Sequence, residues 1–253
     1  MNTELMIIVF GLFFIAMLYS SVGHGGASGY LAILSLTTYA NEGSVWLKQH
    51  AWTLNLIVAG IAFFYYRKEG YHDIKLTLPF ISTSIPFAVL GSYVYINGSV
   101  YDVLLSIFLI LSAWKLLTIK KTEIFENVNI PDIKISLLIG SIIGLICGIV
   151  GIGGGILLTP IIIIKGWATP KGAAATSAIF IWLNSIAGLI GSTLSGQLVE
   201  FDNILSFSLV VLIGGIVGAK WGSKNISQKY IRSILSIVLI IAASKRMLEL
   251  III

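Results

Sequence analysis

The chain has 253 residues, of which 57% are hydrophobic and only 11% are charged, and its formal net charge is +5. An ordinary soluble domain carries about 25% charged residues, so this chain has too few polar side chains to cover a water-soluble globule of its size. The composition excludes a soluble domain and predicts an integral membrane protein. The basic balance fits cytoplasmic loops better than nucleic-acid binding, because no basic patch contains interleaved aromatic residues.

The predicted elements are helices, because the charged residues are grouped and the uncharged segments between them are long enough to span a bilayer. One span needs about 20 apolar residues. In chain order, the first half predicts helices at about 4–22, 27–40, 47–66, 76–96 and 101–119. The second half predicts helices at about 133–150, 155–165, 172–195, 203–220 and 231–250.

The second helix in each half is short. Residues 5–41 carry no formal charge, and this segment is too long for one span and too short for two spans with a loop. A glycine cluster at residues 23–26 divides it, and residues 151–155 divide its counterpart. The expected fold class is an all-α integral membrane protein with about eight long transmembrane helices plus two short or broken helices.

The chain repeats itself at a spacing of about 128 residues, which predicts two transmembrane repeats, residues 1–122 and residues 123–253, within one membrane domain. The recurring segments include Gly23-His24-Gly25-Gly26 with Gly151-Ile152-Gly153-Gly154, and Leu54-Asn55 with Leu183-Asn184. If the short helices cross the membrane, each half has an odd number of crossings and the repeats have inverted topology. If the short helices only re-enter, the repeats run parallel.

Loop charges favour the inverted arrangement. The loop at residues 67–75 is basic, whereas its counterpart at residues 200–202 carries two carboxylates. Under the positive-inside rule the cytoplasmic loops are residues 67–75, 119–134, 165–171 and 220–231. Both termini are then extracytoplasmic, and the chain is expected to be a multi-pass protein of a bacterial or archaeal plasma membrane. The basic pair Lys245 and Arg246 does not fit this orientation.

The two glycine clusters are the candidate binding site. Non-helical backbone inside a bilayer must be shielded by protein or line a wet cavity, and the N-terminal amides of a following helix favour an anion. Two such breaks, one per half, would meet near the membrane midplane, where transporter sites lie. Alternatively, the glycines only allow close helix packing. The candidate residues here are Gly23, Gly25, Gly26, Ser28, Gly151, Gly153, Gly154 and Gly155.

The run GIVGIGGGILLTP from Gly148 to Pro160, followed by Ala-Ala-Ala-Thr-Ser at residues 173–177, resembles the signature of the sulfite exporter TauE/SafE family. These are bacterial anion permeases of the 4-toluene sulfonate uptake permease type. The first half carries a degenerate copy, so the resemblance covers nearly the whole chain. It implies a permease for small sulfur-containing anions such as sulfite, thiosulfate or sulfonates. The first half departs from the pattern at His24, which stands where the second half has Ile152.

Polar side chains inside apolar segments add candidates to the site. His24 is the one side chain between Glu4 and Glu42 that titrates near neutral pH. It could couple protons to transport, or be a neutral histidine bonded to a nearby carbonyl. Asn55 and Asn184 are matched between the halves, and they either touch substrate or cross-link helices by hydrogen bonds.

Further polar side chains lie early in the third helix of each half. Lys48 and His50 in the first half lie about where Thr176 and Ser177 lie in the second. Positions near a helix N-terminus suit contact with an anion. Lys48 could equally be an anchor at the lipid interface.

Together these observations predict a secondary transporter for a small anion that works by alternating access between the two glycine-loop half-sites. The alternatives are an anion channel built on the same loops and a permease for a non-sulfur solute. An enzyme is not expected, because His24, His50 and His72 are scattered and the sequence has no P-loop, metal-spacing cluster or cofactor motif. The expected partners are the small anion, the lipid bilayer and, if His24 couples transport, protons. Nucleic acid is not among them, and the oligomeric state stays open.

Overall fold

The computed structural model describes residues 3–94, 96, 98–118, 129–197, 199, 204–224, 240, 243–244 and 247–248. Within these residues all regular structure is helical, as predicted. The predicted last helix at 231–250 falls almost wholly outside the described residues. Glu200, Asp202, Lys245 and Arg246 also lie outside them.

Nine α-helices lie in the described part of the chain, in the predicted order. They are α1 (Thr3–Ser20), α2 (Ala27–Ser35), α3 (Ser44–Lys68), α4 (Ile74–Tyr93), α5 (Gly98–Thr118), α6 (Ile133–Val150), α7 (Gly155–Ile164), α8 (Pro170–Leu194) and α9 (Ile204–Gly222). The two predicted short helices are α2, with 9 residues, and α7, with 10 residues. The other helices have 18 to 25 residues.

Four of the described helices, α4, α6, α8 and α9, are long and apolar enough to cross a bilayer. Large apolar side chains also cover the outer surfaces of the bundle; Phe64 is 61% exposed and Leu205 is 75% exposed. A water-soluble protein rarely exposes so much apolar surface, whereas a bilayer solvates it. The chain is therefore a multi-pass membrane protein.

Side-chain caps define the starts of three helices. Asp73 accepts a hydrogen bond from the Lys75 N–H at the start of α4, and Asp132 accepts one from the Lys134 N–H at the start of α6. Thr169 caps α8 through the Gly172 N–H and is followed by a proline at the first helical position. This Thr-Pro start suits a helix N-terminus, and it begins α8 two residues before the predicted position 172.

The third helices of the two halves, α3 and α8, pack against each other and run antiparallel. At one end, Gln49 Nε2 in the second turn of α3 donates to Ser192 Oγ in the last turn of α8, at 2.9 Å. At the other end, Tyr66 of α3 packs with Ala174 and Ala175 near the start of α8. This pair forms the centre of the bundle.

Two further seams join the halves, α4 with α6 and α1 with α9, and both depend on a glycine ladder with a spacing of four residues. The ladders are Gly140, Gly144 and Gly148 on α6, and Gly214, Gly218 and Gly222 on α9. A Cβ at Gly144 would overlap the Ser84 carbonyl of α4, and one at Gly218 would overlap the Met17 carbonyl of α1. Small residues allow such close backbone approach between membrane helices.

Candidate functional site

The two glycine clusters border one cavity at the centre of the bundle. The cavity holds about 270 Å³ of space between atoms, including the part open to the outside. Its lining comes from both clusters, from α1 and α2, and from the two central helices. The lining residues are Tyr19, His24, Gly25, Gly26, Ala27, Ser28, Asn55, Ile152, Gly153, Gly154, Gly155, Ile156 and Ile181.

The two loops share one backbone conformation. Gly23 and Gly26 have φ values of 76° and 107°, and their counterparts Gly151 and Gly154 have 85° and 73°. Only glycine adopts this left-handed region without a steric penalty. Each loop ends in a left-handed glycine directly before a short helix, α2 or α7, so both helix N-termini open onto the cavity.

Asn55 lies between the two loops. Its Oδ1 accepts a hydrogen bond from the Ala27 N–H at the start of α2, at 3.0 Å, and its Nδ2 donates to Ser185 Oγ of α8, at 3.3 Å. A Cβ added to Gly25 would overlap Asn55 Oδ1, and one added to Gly153 would come within 2.7 Å of Asn55 Nδ2. Asn55 therefore both lines the cavity and cross-links the halves.

Backbone donors stay unused at the starts of both short helices. Ala27 N–H is occupied by Asn55, but in the described part of the chain no acceptor pairs with the next two N–H groups of α2, or with the first two of α7, namely those of Ser28, Gly29, Gly155 and Ile156. Unused amides at a helix N-terminus carry a partial positive charge. Their orientation suits an anion in the cavity.

His24 belongs to a hydrogen-bonded chain that crosses between the halves. Its Nδ1 lies 2.9 Å from the Val22 carbonyl, to which it donates. Its Nε2 lies 3.2 Å from Thr159 Oγ1 of α7, and Thr159 Oγ1 lies 2.6 Å from Ser177 Oγ of α8. With His24 neutral, Nε2 is the acceptor and the Thr159 hydroxyl donates to it. Thr159 was missed from the sequence, although it lies four residues after Gly155 and thus on the same face of α7.

The hydroxyl groups near the cavity are held by partners. Ser28 Oγ lies 2.7 Å from the Tyr19 hydroxyl, and both residues line the cavity. Thr176 Oγ1 accepts from Thr77 Oγ1 of α4 at 3.2 Å and does not line the cavity. Ser177 does not line the cavity either, and it is linked to the cavity residue His24 through Thr159.

Other sequence candidates lie away from the cavity lining. Asn184 Nδ2 donates to Ser84 Oγ of α4 and to the Phe180 carbonyl, so this side chain links α8 to α4. His50 stacks on Trp46 and its Nδ1 bonds to the Trp46 carbonyl. Lys48 is only 3% exposed, which does not suit an anchor at the lipid interface.

The outer glycines of the two clusters serve as packing points. A Cβ at Gly23 would overlap the backbone of Ala174 in α8, and one at Gly151 would come within 2.6 Å of Lys48 Cγ in α3. Each loop is therefore pressed against the first turns of the central helix of the opposite half. The structure brings together His24, the inner glycines, Ser28 and Asn55, and it keeps Gly23 and Gly151 at the edge.

Comparison with known proteins identifies the family. The sequence matches the family described as sulfite exporter TauE/SafE over residues 7–246. The chain belongs to the TauE/SafE family. It is 33% identical over 249 residues to the probable membrane transporter protein y4hK of Sinorhizobium fredii, covering 97% of this chain and 99% of that protein. It is also 28% identical to the probable membrane transporter protein YunE of Bacillus subtilis, covering 73% of this chain and 74% of that one.

A third relative of this TauE/SafE protein is the probable membrane transporter protein MJ0441 of Methanocaldococcus jannaschii, which is 30% identical over 57% of this chain and 56% of its own length. No solved structure matches the chain. Family membership confirms the predicted resemblance and assigns the protein to membrane transporters rather than to enzymes. The transported solute is a separate question, which the cavity chemistry addresses.

Proposed function

We propose that this protein is a secondary transporter of a small anion, and that the two glycine loops form its substrate site. The observation that carries the proposal is the cavity itself, where two helix N-termini with unused amides meet and where no lining residue is acidic. Amide donors at helix N-termini bind anions. A cation would instead need carboxylate or carbonyl ligands directed into the cavity.

The substrate class follows from the cavity and the family together. The cavity combines backbone amides, the hydroxyls of Tyr19 and Ser28, and apolar walls from three isoleucines. An oxyanion with a small apolar part, such as a sulfonate, would use both kinds of surface, and sulfite or thiosulfate would use the donors. The family description names sulfite. We therefore propose a sulfur-containing anion: sulfite, thiosulfate or a sulfonate.

Alternating access is supported by how the halves contribute to the site. Each half supplies one loop, and the central helices α3 and α8 run in opposite directions. The seams α4 with α6 and α1 with α9 pair the fourth helix of one half with the first helix of the other. This pattern is expected of inverted-topology repeats that rock around a central site.

The proposed orientation places the basic end of the bundle in the cytoplasm. Lys171 Nζ, at the start of α8, donates to the Tyr71 hydroxyl in the loop after α3 and to the Ser223 carbonyl after α9, both at 3.0 Å. These three segments therefore lie at one end, together with Arg67 and Lys68 at the end of α3. Under the positive-inside rule that end is cytoplasmic and Glu4 is extracytoplasmic.

Counterflow in proteoliposomes tests the proposal. Purified protein is reconstituted with sulfite, thiosulfate or methanesulfonate inside, and uptake of the same labelled anion is measured with and without a pH gradient. We expect saturable uptake that is accelerated by the internal anion. A carrier with one site must turn that site back to the outer face after each uptake, and internal anion allows the site to return loaded instead of empty. Uptake that saturates without acceleration would indicate a channel and would contradict the carrier mechanism.

A matched pair of variants connects the flux to the loops. Gly153→Val places a side chain within 2.6 Å of Ile181 and 2.7 Å of Asn55, whereas Gly43→Val points into open space. We expect exchange to be lost in Gly153→Val and kept in Gly43→Val, with equal amounts of folded protein. Equal exchange in both variants would remove the second loop from the site.

A further inference from the structure

Lys48 carries a buried charge that the cavity does not use. It lies in the second turn of α3, its side chain is 3% exposed, and its aliphatic stem packs over Gly151 of the second loop. In the described part of the chain, no carboxylate or hydrogen-bond acceptor contacts its ammonium group. The group lies 5.9 Å from the centre of the Trp52 ring. The Nζ atom itself is not among the fully buried polar atoms without a partner, so the ammonium group keeps some accessible surface. A cation at this depth in a membrane protein is usually functional.

A second buried donor lies one turn along the same helix. The Trp52 side chain is fully buried, and its indole Nε1 has no hydrogen-bond partner among the described residues. Buried polar atoms without partners are rare in folded proteins and call for an explanation such as a missing ligand. Both unpaired groups are donors, and one is positively charged, so the missing partner is an acceptor with negative charge.

These two donors lead toward the cavity. Residues 48, 52 and 55 follow one another at intervals of four and three, so they share one face of α3. Lys48 is therefore about 10 Å along the helix axis from Asn55, which lines the cavity. Trp52 lies between them and packs on Gly188 of α8, where a Cβ would come within 2.5 Å of the indole ring. Neither Lys48 nor Trp52 lines the cavity.

At the opposite end of the bundle, the described residues include no equivalent unpaired charge. There the early positions of α8 are Thr176 and Ser177, whose hydroxyls bond to Thr77 and Thr159. The nearby Lys171 is bonded to Tyr71 and to the Ser223 carbonyl. Among the described residues the two ends therefore differ: Lys48 has no hydrogen-bond or ion-pair partner at the end where α3 begins, whereas the hydroxyls at the end where α8 begins are paired.

We propose that Lys48 and the Trp52 indole N–H form a second anion-binding position, separate from the glycine-loop cavity, through which small oxyanions enter from the side of the membrane where α3 begins. This inference rests on the proposed function, because it assigns a path to the same anion. Lys48 determines the affinity for the anion on that side only. Trp52 donates to the anion once α3 and α8 move apart at Gly188.

The test is the KM for sulfite measured separately on each face, in right-side-out and inside-out membrane vesicles. The variants are Lys48→Gln, Lys48→Arg and Trp52→Phe. The charge-matched control is Lys75→Gln, an exposed position at the start of α4, at the opposite end of the bundle from Lys48. Loss of a hydrogen bond to a charged group corresponds to roughly ten-fold or more in affinity. We expect Lys48→Gln to raise the KM at least ten-fold on the face of the membrane where α3 begins and to leave the KM on the other face unchanged.

Two variants distinguish an anion-binding role from a structural one. Lys48→Arg keeps the charge and should retain most of the affinity, and Trp52→Phe keeps the ring but loses the N–H and should raise the KM on the same face. An equal change on both faces, or no change in Lys48→Gln while the wild type exchanges sulfite, would overturn the Lys48 position and leave the proposed function standing. A wild type that moves no sulfite, thiosulfate or methanesulfonate would overturn both.

Discussion

Gly154 and Gly70 provide a matched pair of substitutions that separates backbone strain from packing at the second loop. Both have left-handed backbones, with φ values of 73° and 79°. A Cβ at Gly70 meets nothing within 4 Å, whereas a Cβ at Gly154 would come within 2.5 Å of Cys147 Sγ and 2.9 Å of both Ile143 and Phe180. Alanine at either position therefore has the same backbone penalty, but only Gly154→Ala adds a steric overlap.

The expected losses in the free energy of unfolding follow from the backbone strain and the steric overlap. Placing an alanine in the left-handed region costs about 1–2 kcal/mol. Overpacking a tight interior costs about 1–3 kcal/mol more. We expect the free energy of unfolding to fall by about 1–2 kcal/mol in Gly70→Ala, and by about 2–5 kcal/mol in Gly154→Ala.

The measurement is denaturant unfolding of the purified variants in one detergent, with counterflow of sulfite measured in parallel. A Cys147→Ala substitution in the Gly154→Ala background removes the sulfur that the new methyl group meets, so it should recover part of the overlap term but none of the strain term. The coupling between the two substitutions gives the share of the overlap that comes from the Cys147 sulfur. Equal destabilisation by Gly154→Ala and Gly70→Ala would refute the packing described for this loop.

Substitutions at three further positions address the first loop and the contacts between halves. Gly25→Val should abolish exchange while leaving the amount of protein in the membrane unchanged, as is expected for Gly153→Val, because the valine side chain would displace Asn55. Wild-type exchange in this variant would show that the first loop is outside the site. Asn55→Leu should lower exchange at least ten-fold, because a buried Ala27 N–H left without an acceptor costs about 1–3 kcal/mol. A counterflow rate equal to that of the wild type would contradict this role. Thr159→Val should lower the free energy of unfolding by about 1–3 kcal/mol, since it leaves His24 Nε2 without a donor. Thr159→Ser should keep both the hydrogen bond and the stability. Equal losses of stability in the two variants would show that the hydroxyl is dispensable.

Much of the helix layout could be predicted from hydropathy, because a membrane span must be apolar over its whole length. The positions of α4 and α6 follow from charged or capping residues at their starts. The end of α2 was predicted poorly, since the helix ends at Ser35 rather than near 40. A short 3-10 helix at Thr38–Asn41 occupies the remaining length, and hydropathy does not distinguish it from α-helix.

The site was predictable where the repeats match in register, and less so where they differ. The spacing from the start of α2 at Ala27 to Asn55 is one residue shorter than the spacing from the start of α7 at Gly155 to Asn184. One residue rotates a side chain by about 100° around a helix. In the structure Asn55 faces the loops, whereas Asn184 donates to Ser84 on α4. The burial of Lys48 against Gly151 depends on tertiary contacts that no local pattern encodes.

The glycine ladders of α6 and α9 both belong to the C-terminal half of the chain, although they pack against two different helices of the N-terminal half. Two copies of the N-terminal half would lack both glycine ladders. Two copies of the C-terminal half would place one glycine ladder against another, with no larger side chains to fill the space between them. The halves are thus complementary pieces rather than interchangeable ones. A gene divided between them would yield two polypeptides that pair with each other in preference to pairing with themselves.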